Sequence, residues 1–110
     1  MRWAVIVLVL GVLIAGCGSS GEDVSQSARD RAVDKAQAVY RQSLTTGRAL
    51  SEGPCIAEEL PGLPDWVADI AHDPREPADD VPANQCQRYR SGEAHHFVEL
   101  DQDGALIKAE

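Results

Sequence analysis

Trp66-Val67-Ala68-Asp69-Ile70-Ala71-His72 is the stretch on which the fold of this 110-residue chain turns. It lies between Pro64 and Pro74 and reads two ways. A helix would bring Trp66 beside Ile70 and Val67 beside Ala71. A strand puts Trp66, Ala68 and Ile70 on one face, because successive side chains alternate. About seven residues between proline-bounded ends fit the usual length of a strand better than that of a helix. The stretch is therefore read as a strand, and the chain as α+β.

The end of the chain gives this strand something to pair with. In residues 95–100, His96, Val98 and Leu100 alternate with His95, Phe97 and Glu99, the period of a half-buried strand. Asp101-Gln102-Asp103-Gly104 supplies turn formers, and residues 105–109 resume an extended pattern, so the segment predicts a β-hairpin. Asp101-x-Asp103-Gly104 lacks the further ligands of a calcium loop and is read as the hairpin turn. Isolated two-stranded ribbons are marginal in water, so residues 66–71 are expected to complete a three-stranded antiparallel sheet with 95–100 and 105–109.

Upstream, Ala28, Ala32, Ala36, Val39, Tyr40 and Leu44 recur at three- and four-residue steps without a Gly or Pro between them. This predicts a helix over residues 25–45, started by Asp23, Ser25 or Ser27, with Asp30 in capping-box spacing from Ser27, and stopped by Gly47. Its narrow, alanine-rich stripe suits close packing on a sheet. Ser51-Glu52-Gly53-Pro54 and Pro61-Gly62-Leu63-Pro64 break the chain, leaving residues 55–60 room for a short turn at most. Residues 73–84 hold Pro74, Pro77 and Pro82 and read as an irregular loop. The helical segment is locally basic, whereas residues 51–86 carry nine acidic side chains against Arg75 alone, a pattern that suggests docking of one on the other.

The formal net charge of −8 repels nucleic acid, and a nucleic-acid partner is excluded on that ground. At the other end of the chain, residues 3–15 form an apolar run preceded by Arg2 and ended by Gly16 and Cys17. That run is too short to span a bilayer, which takes roughly 20 apolar residues, and has the plan of a secretory signal peptide. Leu13-Ile14-Ala15-Gly16-Cys17 resembles the lipobox of bacterial lipoproteins. The resemblance implies cleavage before Cys17, a lipid on Cys17, and a protein anchored to a membrane of the bacterial cell envelope after export. It divides the chain into a signal peptide (1–16), a lipidated cysteine and tether (17–24) and one small domain (25–110, with helix 25–45 and a stapled sheet region 51–110). With Cys17 lipidated, Cys55 and Cys86 remain as a pair in an oxidising compartment, where a structural disulfide is expected.

Sites of chemistry are sparse. No G-x-S-x-G elbow or phosphate-cradling glycine motif is present, and no cofactor is expected. Adjacent histidines on a strand point to opposite faces, so His95 and His96 do not share one metal without a bulge. If residues 66–72 pair with 95–100, His72 would approach them, with Glu99 or Asp73 as carboxylate partners. Asp73, Glu76, Asp79 and Asp80 read as a solvated acidic loop. The favoured reading is a non-enzymatic binding or structural module with the membrane, through Cys17, and another envelope protein as partners. The alternative is a metal-binding protein or metal-dependent hydrolase using His72, His95 and His96.

Overall fold

The computed structural model describes residues 24–110; the expected signal peptide, Cys17 and all but the last residue of the tether lie outside the described residues. Helix α1 (Gln26–Thr45) is followed by strands β1 (Cys55–Ala57) and β2 (Trp66–Ile70), 3₁₀ turns at Pro77–Asp80 and Pro82–Asn84, a short helix α2 (Gln87–Arg90), and strands β3 (His96–Leu100) and β4 (Leu106–Ala109). The four strands lie in the order β1-β2-β3-β4. β1 and β4 run antiparallel to their neighbours, whereas β2 and β3 are parallel, with Trp66 opposite His96 and Ile70 opposite Leu100.

The expected three-stranded antiparallel sheet is thus corrected on two points. The chain between β2 and β3 carries two 3₁₀ turns and α2, more than the dozen or so residues a parallel crossover needs, and it returns β3 to the end where β2 began. The segment expected to be a turn at residues 55–60 supplies a fourth strand. Its edge is occupied by Arg48, whose guanidinium donates to the carbonyls of Cys55 and Ile56, which blunts an otherwise open row of backbone groups.

Helix α1 begins at Ser25, whose hydroxyl accepts from the Ala28 amide at 3.2 Å; the N-cap is Ser25, not Ser27. The helix buries Ala32, Ala36, Tyr40 and Ser43, while Leu44 stays 53 % exposed. Small side chains let its backbone settle close to the sheet, against Trp66, Ala68, Ile70, Val98, Leu100 and Ala109. Burying each large apolar side chain there contributes about 1.5–3 kcal/mol. Among the described residues no ion pair joins α1 to the acidic segment; docking is apolar, not electrostatic. Tyr40 also fixes the hairpin turn: its hydroxyl donates to the Gln102 carbonyl at 2.9 Å, and its ring lies where a side chain at Gly104 would project. Gly104 has φ +84°, so both sterics and backbone require glycine there. Asp101 completes the turn by accepting from the amides of Asp103 and Ala105.

Among the described residues, no long helix lies on the opposite face of the sheet. Val67, Ala94 and Cys86 are buried there, with Cys55 and Phe97 packed beside them. The Cys55–Cys86 disulfide ties β1 to the segment before α2 across 31 residues, the pairing expected from the sequence.

Candidate functional site

Strand alternation and register together build a row across the helix-free face. Cys55, Asp69, Glu99 and Lys108 stand opposite one another from β1 to β4; Val67 pairs with Phe97, which exchanges backbone hydrogen bonds with Glu110. A bulge between Glu99 and Leu100 brings Leu106 opposite Leu100 and Lys108 opposite Glu99. With α2 and the crossover loop as walls, Val67, Asp69, Phe97, Glu99 and Lys108 line an open cavity of about 570 Å³, within the size range of small-ligand pockets. Val67, Cys86 and Phe97 make its apolar part, and Tyr89 meets the Phe97 ring edge-on at 5.0 Å.

The charged groups of the cavity are unequally served. Arg75 donates to both carboxylate oxygens of Glu99 at 3.3 Å and to Asp80 at 3.0 Å, and Lys108 lies 3.0 Å from Glu110. Asp69 receives no donor from the described residues, and its Oδ1 is sealed from solvent. Burial, reinforced by the charge of Glu99, pushes its carboxyl up to about 7, because desolvation penalises the ionised form. Asp69 Oδ1 and Gln102 Nε2 are the buried side-chain polar atoms without a hydrogen bond among the described residues, and of the two Asp69 lines the cavity.

The crossover loop that walls this site is organised by Asp79, which is only 4 % exposed. It accepts from the backbone amides of His72 and Glu76 at 3.1 and 2.9 Å and from His72 Nδ1 at 2.9 Å. Burial opposes its ionisation, but these donors outweigh it and hold the carboxyl below its ordinary range. The same hydrogen bond, with the nearby Glu76, raises His72. Gly53 is needed beside it, since a Cβ there would strike the Asp79 carboxylate.

His72 follows the last residues of β2, while His95 and His96 lie where β3 starts. Parallel pairing puts these at opposite ends of the β2–β3 pair, so the structure does not bring His72 to the other two. His95 and His96 gather instead around Asp65: His95 Nδ1 is 2.7 Å and His96 Nε2 3.4 Å from its carboxylate oxygens, and His96 stacks on Trp66. The hydrogen bond from His95 leads in lowering Asp65. Among the described residues, metal-ligating atoms come together within 4.8 Å at Cys55, Glu58 and Cys86. Both sulfurs are in the disulfide, and Glu58 accepts from the first amides of α2, those of Gln87 and Arg88; the group holds structure. Glu99 stands in the cavity, whereas Asp73 is exposed in the loop.

Asp69, Asp65 and the cavity were missed from the sequence. The signal for Asp69 was a single acid in an otherwise apolar strand, on the same face as Val67. Among the described residues, no helix is long and apolar enough to cross a membrane. Compared with known proteins, the chain matches no family model, no curated protein and no solved structure at a significant level.

Proposed function

We propose that this protein is a lipid-anchored binding module of the bacterial cell envelope, held to a membrane through Cys17 and offering the helix-free face of its sheet to a small ligand. The anchor rests on the lipobox resemblance of residues 13–17. The binding role rests on one observation: the face that α1 leaves uncovered holds a cavity with an aromatic wall and a carboxylate, Asp69, whose buried Oδ1 meets no donor among the described residues. Glu99, the neighbour of Asp69, is already held by Arg75, which leaves Asp69 as the carboxylate open to a ligand.

Two measurements test the two halves. Growth with a labelled fatty acid is expected to label the wild type and not Cys17→Ser; an unlabelled wild type overturns the anchor. A nuclear magnetic resonance screen with a mixture of small amines, acids and sugars is expected to perturb the amides of Val67, Phe97 and Tyr89. Perturbations confined to the outer surface of α1 would overturn the assignment of the ligand face.

A further inference from the structure

We propose that the cavity on the helix-free face receives the cationic end of its ligand, a primary ammonium or guanidinium on an apolar stem, with Asp69 as counter-ion and Phe97 and Tyr89 beside the stem. This deepens the reading above and rests on it. The charges sort the possibilities. Arg75 already has Asp80 and Glu99 beside it, and Lys108 has Glu110, so an incoming anion would compete with carboxylates in place or settle on Arg90, which is exposed to water. An exposed cation gives little, because water and salt screen it. Asp69 is partly buried, and its Oδ1 is shut off from water with no hydrogen bond among the described residues, so a cation reaching it interacts in a medium of lower dielectric and serves an oxygen that lacks a donor.

A neutral hydroxyl or amide in the same place can donate to Asp69 but leaves its charge unbalanced, and an anion adds to the negative charge already there. The aromatic wall already accepts a cation's company: Lys108 Nζ lies 5.9 Å from the centre of the Phe97 ring, within cation–π range. The chain's net charge of −8 concentrates cations around the mouth in addition. The charged groups facing Asp69 are Glu99 from β3, Lys108 from β4, Glu110 just past it, Arg75 and Asp79 from the crossover loop and Arg90 from α2; no histidine is among them. A cation that pairs with Asp69 therefore displaces the proton of that carboxyl to solvent.

The test uses three probes with one stem, pentylammonium, pentanol and pentanoate, titrated into the isotope-labelled full chain in neutral detergent. Pentylammonium is expected to shift the amides of Val67, Asp69, Phe97 and Glu99 in a saturable way. It should bind about tenfold more tightly at pH 8 than at pH 6, following ionisation of a carboxyl that titrates about 7. Asp69→Asn, with an otherwise unchanged spectrum, should weaken it at least about tenfold; Glu99→Gln should weaken it less. Saturable binding of pentanoate or pentanol with no preference for pentylammonium would overturn the cationic assignment and leave the ligand face standing. If none of the three perturbs the cavity amides, the ligand face itself falls, and this inference with it.

Discussion

Asp69 holds its proton at a pH where an aspartate in water has long lost it. In the unfolded chain this carboxyl ionises near pH 4, and in the folded chain at about 7. Between those values the folded state binds the extra proton, so stability falls as pH rises through the window and is level above it. The shift corresponds to a destabilisation on the order of 2–4 kcal/mol at pH 8. Asp69→Asn is therefore expected to raise stability by that order at pH 8 and to change it little at pH 4, as urea unfolding at the two pH values would show. Equal effects at both would mean that Asp69 is solvated. Its place on the face of Val67 was legible from strand alternation alone. Its lack of a partner was not, because that depends on a loop and on strands distant in sequence.

The same distinction runs through the elements. Helix α1, the alternation of residues 95–100, the glycine turn at 101–104 and the disulfide were legible because each is a local period, a turn chemistry or a cysteine count. The direction of β2 against β3 was not, since nothing within either strand records which way the crossover returns. Strand β1 was hidden by the prolines flanking it. The crossover loop has little apolar surface and depends on the Asp79 carboxylate. Asp79→Ala would strand the amides of His72 and Glu76 and is expected to cost about 2–4 kcal/mol, with hydrogen exchange accelerated across residues 72–80; unchanged exchange would show that the loop is held otherwise. The charge state of His72 adds a pH window of its own. Its raised pKa means that its contribution is complete below about pH 6.5 and is lost as pH rises above that, whereas that of Asp79 is lost as pH falls below about 4. The disulfide anchors the far end of this loop. Replacing both Cys55 and Cys86 by Ala should lower stability by about 3.5 kcal/mol on the chain-entropy estimate, measured by denaturant unfolding against the oxidised wild type.

At the scale of the molecule, one sheet has two unlike faces. The helix side is a closed apolar core around Trp66, Val98 and Leu100, and Trp66→Ala there is expected to cost about 3–5 kcal/mol; a variant of unchanged melting temperature would contradict that burial. The other side is kept partly open by α2 and the loop, and the row from Asp69 to Lys108 exists because β2, β3 and β4 align in their mixed register. Carboxyl-carbon magnetic resonance of labelled aspartates, followed through a pH titration, tests this arrangement most directly. The Asp69 signal should titrate at about 7, with the amides of Phe97 and Glu99 shifting at the same midpoint; a midpoint near 4, or one to which β3 is blind, would contradict it.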